Sequence, residues 1–163
     1  MLPLTNIYGK QLSNIGRAGN MVWVLIGNEV EIYVRDVQQK RREFSLNLQC
    51  PWRIENLVYK KVVLASNDIY VPNDYYNCRE NFEWDIQGHN LFDLKSKKML
   101  ESYPNLVVSN IDLSEQNDIT INFSDKLILK TFVNSSSNIE NWRLIDNITR
   151  RHYVCGGEVI EEI

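Results

Sequence analysis

Apolar and polar residues alternate over short stretches along most of this chain. Met21-Val22-Trp23-Val24-Leu25-Ile26 is an apolar run that ends at Gly27-Asn28, a pair suited to a two-residue hairpin turn. Residues 29–35 alternate, with Val30, Ile32 and Val34 on one side, and residues 44–48 alternate again. Cys50-Pro51 stops the pattern, because a residue without an N–H belongs at a strand end or edge. Residues 61–65 read as the next strand. A period of two sets one face of each strand against a core and the other against water, as in an antiparallel sheet.

The second half replays this order. Residues 107–113, 119–123 and 126–133 read as strands, parted by the turn residues Glu115-Gln116-Asn117-Asp118 and Ser124-Asp125. Ser135-Ser136-Ser137-Asn138 forms a loop, and residues 153–155 a last strand. Helix is scarce. Leu91, Leu94 and Leu100, with charges between them, predict a short helix over 91–102, capped by Asn90 or Asp93. Residues 12–18 are a second helical candidate, with Gly16 and Gly19 against it. Residues 71–90 carry Pro72 and many Asn, Asp and Tyr residues, and read as an ordered loop because Tyr75, Tyr76, Phe82 and Trp84 call for burial.

One segment occurs twice. Trp52-Arg53-Ile54 and Trp142-Arg143-Leu144 open two stretches 90 residues apart that match in chemical type at twelve of eighteen positions without a gap. Self-similarity at a fixed offset concerns architecture, not chemistry. The expected fold is therefore an α+β, β-dominated domain over residues 1–163. It contains two similar antiparallel β-meander halves, 1–70 and 105–163, joined by a connector, 71–104, with few short helices.

Composition narrows the function. The 163 residues are 44% apolar and 24% charged, which is ordinary for a globular domain. A formal charge of −3 argues against bulk nucleic-acid binding. The first residues lack the basic region and apolar run of a secretion signal. No run approaches the ~18 apolar residues of a spanning helix, so no membrane span is expected and no membrane is assigned as a partner. Three cysteines without C-x-x-C spacing, Cys50, Cys78 and Cys155, read as free thiols in a reducing cytoplasm.

Candidate chemistry is sparse. Arg53 and Arg143 could contact an anion or ligand with their tryptophans as stacking platforms. Alternatively, each Trp plugs the core and each Arg clamps a neighbouring carboxylate, and recurrence in both halves favours this packing role. Asp85, His89 and Asp93 stand four apart and would share a helical face, yet Gly88 and Asn90 interrupt that helix and the set suits zinc poorly. Lys40-Arg41-Arg42 reads as a solvated hairpin loop, and Lys60-Lys61 and Arg150-Arg151 as strand-edge guards or a basic patch. No phosphate cradle, nucleophile elbow or zinc-protease motif is present, so no catalytic residue, cofactor or metal ligand is assigned. Aromatic residues in the connector, Tyr75, Tyr76 and Trp84, are of the types favoured at interfaces.

Arg17-Ala18-Gly19-Asn20-Met21-Val22-Trp23, Gln49-Cys50-Pro51-Trp52-Arg53-Ile54 and Glu140-Asn141-Trp142-Arg143-Leu144 together resemble a family of small uncharacterised bacterial proteins. The resemblance covers most of the chain and implies a bacterial cytoplasmic protein, with no activity to carry over. The expected function is a non-catalytic protein-binding module, by analogy of size an immunity-type partner. The alternative is a small-molecule-binding protein or enzyme with its site in the cleft between the halves. A homo-oligomer formed through an exposed strand edge is a third reading.

Overall fold

A computed structural model of the chain describes residues 4–74, 82–156 and 159–163. The chain opens on a meander of three strands, β1 (Leu12–Ala18), β2 (Met21–Val34) and β3 (Val37–Leu48). A hairpin follows, β4 (Trp52–Asn56) and β5 (Lys61–Ala65), and then the helix α1 (Leu91–Ser102). A second meander, β6 (Val108–Leu113), β7 (Ile119–Phe123) and β8 (Leu127–Thr131), leads to β9 (Trp142–Asp146), β10 (Arg151–Gly156) and β11 (Val159–Glu162).

The two halves exchange strands. One sheet has the order β1-β2-β3-β9-β10-β11 and the other β5-β4-β8-β7-β6, with antiparallel pairing throughout. The β4–β5 hairpin leaves the first meander and extends the second, pairing Trp52 with Thr131 and Ile54 with Leu129. The hairpin starting at β9 does the reverse, pairing Leu48 with Trp142 and Leu46 with Leu144. Backbone bonds weld the corners. The N–H groups of Gln49 and Cys50 both donate to the Asn141 carbonyl, at 2.8 and 2.9 Å. Pro51, with no N–H to offer, accepts from Phe132 N–H at 2.8 Å.

Both exchanged hairpins use one turn. The buried Asn56 Oδ1 accepts from the N–H groups of Val58 and Tyr59 at 2.9 and 3.0 Å. Ninety residues on, the buried Asp146 Oδ1 accepts from Ile148 and Thr149 at 2.9 and 3.1 Å. Lys60 and Arg150 close the turns in the left-handed region, with φ of 50° and 62°.

The inner faces of both sheets share one core, in which Val24, Leu46 and Leu144 of one sheet join Ile54, Ile121 and Leu129 of the other. Trp52 and Trp142 are both buried in it. Trp142 Nε1 donates to the Asn117 carbonyl at 2.8 Å, which ties the two sheets. Trp52 meets Phe92 of α1 edge-to-face with centroids 5.9 Å apart, a favoured aromatic geometry. The helix is also clamped by Arg17, whose guanidinium grips the Asp93 carboxylate with two bonds of 2.8 Å, both side chains almost wholly buried. Asn90 caps it, its Oδ1 accepting from Asp93 N–H at 2.9 Å.

Three local expectations are corrected. Residues 12–18 form strand β1, not a helix: they pair with β2, and their glycine seats a tryptophan of that strand. Gly27-Asn28 is a bulge inside β2 and not a hairpin turn. The turn comes at Arg35-Asp36, both at positive φ (50° and 62°), so Lys40-Arg41-Arg42 lies within β3 instead of in a loop. The sheets and the 91–102 helix otherwise agree with the α+β, β-dominated reading.

Replacing Trp52 or Trp142 with Ala is expected to cost roughly 3–5 kcal/mol each in chemical denaturation. Trp142 should stand at the upper end, since its loss also removes a part-buried hydrogen bond between sheets. A loss below about 1 kcal/mol in both would place them outside the core.

Candidate functional site

The outer face of the six-stranded sheet carries a groove of about 750 Å³. Its floor follows from strand parity. Val22, Val24 and Ile26 are buried inward, so Met21, Trp23 and Leu25 of β2 face out and stay half-exposed. Ser45 and Asn47 of β3, Ile145 of β9 and His152 of β10 continue the lining, which thus crosses the β3–β9 seam between the two halves.

Two local devices shape this floor. Gly16 pairs with Trp23, and a Cβ on Gly16 would lie 2.3 Å from the indole Cη2 and Cζ2. The indole therefore covers the glycine, an aromatic laid over a bare strand position. The second device is the bulge. Gly27 has φ of 90°, and one extra residue of β2 sits between the Ile26–Phe44 and Glu29–Arg42 pairs. The bulge reverses the parity of β2, so that even-numbered Ile32 and Val34 line the groove.

Glu43 holds the bulge. Its carboxylate accepts from Asn28 N–H and from Lys10 Nζ, each at 2.8 Å. Burial alone would raise the Glu43 pKa, but those two donors and the Lys10 charge outweigh it and hold the carboxyl below its ordinary value.

The wall of the groove is cationic. Lys40 pairs with Glu29 at 3.0 Å in the open. Arg41 donates to Gln39 Oε1 at 2.6 Å, while the half-buried Arg42 and its neighbour Arg41 have no carboxylate partner among the described residues. Arg143 forks onto Glu140, with Nε–Oε1 at 3.1 Å and Nη2–Oε2 at 2.7 Å, and its Nη1 donates to His152 Nδ1 at 3.2 Å. Burial, then the Arg143 charge, lower the His152 pKa from 6.5, so the imidazole is neutral at neutral pH with Nδ1 accepting.

The structure disperses the residues singled out from sequence. Arg143 stands beside the groove through His152. Arg53 lies on the other sheet, paired with Glu55 and set over the Phe132 ring at 5.1 Å. Trp84 is half-buried against Tyr70, with centroids 5.2 Å apart. Tyr75, Tyr76 and Cys78 lie outside the described residues. Asp93 is engaged by Arg17, and among the described residues no three His, Cys, Asp or Glu side chains form a metal-binding group. Cys50 and Cys155 are buried, and burial pushes the Cys50 thiol up to about 11. The groove residues Trp23, Leu25 and Ile32 were missed, and Arg42 was read into a loop. The sequence signal for Trp23 and Leu25 is that residues 21–26 are apolar on both faces, more than a single core-facing side needs.

No protein-family model, no curated protein and no solved structure matches this chain. Among the described residues no helix is long and apolar enough to cross a membrane.

Because the Glu43 pKa is depressed on folding, its contribution is present above the unfolded value and lost as pH falls through the folded one. Glu43→Gln should therefore cost about 1–2 kcal/mol at neutral pH. The gap between variant and wild type should narrow as pH falls below the ordinary Glu value of 4.5, read by denaturant titration across that range. A gap that does not change with pH would mean that the carboxylate does not latch the bulge.

Proposed function

We propose that this chain is a non-catalytic protein-binding module and that the groove receives an extended apolar segment carrying carboxylates. The observation that carries the reading is the row Met21, Trp23, Leu25, Ile32 and Ile145, left half-exposed on an outer sheet face beside the cations Arg41 and Arg42, which have no carboxylate partner among the described residues. A connected apolar floor of this kind on a folded domain marks an interaction surface. Charged rims add specificity and speed of encounter, and here they select an acidic partner. The buried thiols Cys50 and Cys155 suit the reducing bacterial cytoplasm in which such a module would work. The matched turns at Asn56 and Asp146 support descent of the two halves from one unit.

A second reading is a small-molecule site at the same place. The specific observation in its favour is that both halves line the groove across the β3–β9 seam, with His152 and Arg42 as polar groups over an apolar floor.

A photo-crosslinking residue at Leu25, with one at Glu115 as the control, separates these readings. The expected result in the native cell is an adduct at position 25 only, whose linked segment is apolar and acidic. A synthetic peptide of that segment should then bind the purified protein and lose at least about tenfold in affinity on Arg41→Glu with Arg42→Glu. Equal adducts at both positions, or peptide binding that ignores the charge reversal, would overturn the reading. A metabolite retained in native mass spectrometry and lost on Leu25→Glu would establish the small-molecule site instead.

A further inference from the structure

We propose that the tip of the β4–β5 hairpin is a contact for an anionic phospholipid surface, in which Leu57, Val58 and Tyr59 enter the bilayer interface while Lys60 and Lys61 meet lipid phosphates. Leu57, Val58, Tyr59 and Val62 are 47%, 64%, 69% and 49% exposed, four large side chains within six residues.

The turn itself does not need them. The equivalent turn at 147–150 has the same Asx geometry, yet it is built from Asn147, Ile148, Thr149 and Arg150. Each turn is pinned to the other half by one backbone bond, from Leu57 N–H to the Lys126 carbonyl at 3.0 Å and from Asn147 N–H to the Glu43 carbonyl at 2.9 Å. Asn147 adds a side-chain bond to the Arg42 carbonyl at 2.8 Å, a structural use for its amide. Leu57 has no such use and points its apolar side chain at solvent. The apolar residues at 57 and 59 are thus surplus to the fold.

The tip is held rigidly. Asn56, which shapes it, is buried and donates to the Tyr103 hydroxyl at 3.2 Å, just after the end of α1. Exposed Lys60, Lys61 and Lys126 surround it, and none has a carboxylate partner among the described residues. Lys61 Nζ lies 5.5 Å from the Tyr59 ring centre. A recess of about 450 Å³ beside the tip is lined by Lys60, Lys61, Arg53 and Leu57. Glu55, also on its wall, is neutralised by Arg53 and by Lys130 at 3.2 Å. The exposed Asp125 next to Lys126 is the opposing charge at this end.

Charge and area together choose the occupant. Tyrosine and aliphatic side chains ringed by lysines match a bilayer interface, where the ring and the lysine stems bury while the ammonium groups stay with phosphate. An anionic leaflet attracts each nearby lysine. A stable protein interface needs about 800 Å² from each partner, more than four side chains on a convex tip supply. A bilayer makes no such demand and requires no spanning segment. Two modest signals, apolar insertion and basic attraction, combine to give reversible binding. The tip is on the five-stranded sheet and the groove on the six-stranded one, so this contact stands or falls apart from the peptide-binding reading.

The test is co-sedimentation of the full chain with vesicles of phosphatidylcholine alone and of phosphatidylcholine with about one-third phosphatidylglycerol. Binding is expected to the anionic vesicles only and to weaken as salt rises. Grafting the other turn as Leu57→Asn, Val58→Ile and Tyr59→Thr should weaken binding at least about tenfold without shifting the thermal midpoint. Lys60→Glu with Lys61→Glu should do the same, and decides the matter if the graft does not fold. Equal binding to both vesicle types, binding to neither, or a graft that binds like wild type would overturn the proposal. Binding of inorganic phosphate by the wild type with no vesicle binding would overturn it as well, leaving a free-phosphate site. So would a photo-crosslinker at Val58 that finds one protein and no lipid.

Discussion

The exchange of hairpins between the two halves is the constraint on which the rest depends. β3 cannot complete its sheet until β9 arrives from the far end of the chain, and β8 cannot complete its own without β4. Each seam joins residues long separated in sequence, Leu46 with Leu144 and Ile54 with Leu129. Closing such loops costs little extra free energy per added residue, because the entropy grows only with the logarithm of loop length. The penalty falls on folding speed, since non-local strand pairs reward the chain only after closure. In return neither half holds a sheet alone, and one core contains both. The two corner tryptophans then have distinct tasks. Trp142 bonds across to a turn of the other sheet, and Trp52 takes the helix.

That exchange decides where function can reside. Both inner faces are spent on the core, so chemistry toward a partner is confined to outer faces and turn tips. On the six-stranded sheet the outer face carries a row of half-exposed apolar residues, and a bulge adds Ile32 and Val34 to it. Gly27 alone permits the kink, because a side chain there would strike Glu43, and Glu43 in turn satisfies the N–H that the kink exposes. One carboxylate thus turns a flat strand into a wall that brings Ile32 and Val34 over the floor set by Trp23 and Leu25.

Much of the second half was legible, although 142–146 and 159–162 were not read as strands and form β9 and β11. Strands β6, β7 and β8 are separated by strong turn residues, and the buried positions of β7 and β8 alternate cleanly, as in Ile119, Ile121 and Phe123, whereas a register shift in β6 buries Val108 and Ile111. Helix α1 was legible from Leu91, Leu94 and Leu100 and from its Asn90 cap. The first half misled where one residue type has two uses. Gly16 reads as a break in a helix, but it is a seat for Trp23. Gly27-Asn28 reads as a turn, but a distant carboxylate makes it a bulge. The true turn, Arg35-Asp36, has no glycine to announce its positive φ. Strand exchange leaves no local mark at all, because each hairpin would look the same paired with either meander. The groove was hidden for the same reason: an apolar run does not say which of its residues lost the competition for the core.

The repeated segment is most informative where its copies differ. What they share is structural: a buried tryptophan, a buried Asx residue that builds the turn, and a basic residue closing it at positive φ. Even the arginines after the tryptophans are used alike, Arg53 on Glu55 and Arg143 on Glu140. What differs lies outward. One turn shows Leu57, Val58 and Tyr59 to solvent, while the other uses Asn147 to hold the strand beside it. His152, opposite Ile145, faces the groove, while Val62 and Lys61 at the matching end of β5 face the recess by the tip. A shared scaffold with divergent outward residues separates what folding requires from what it leaves free. By that criterion the β4–β5 tip and the groove, rather than the paired tryptophans, are the surfaces that folding leaves free for the proposed contacts.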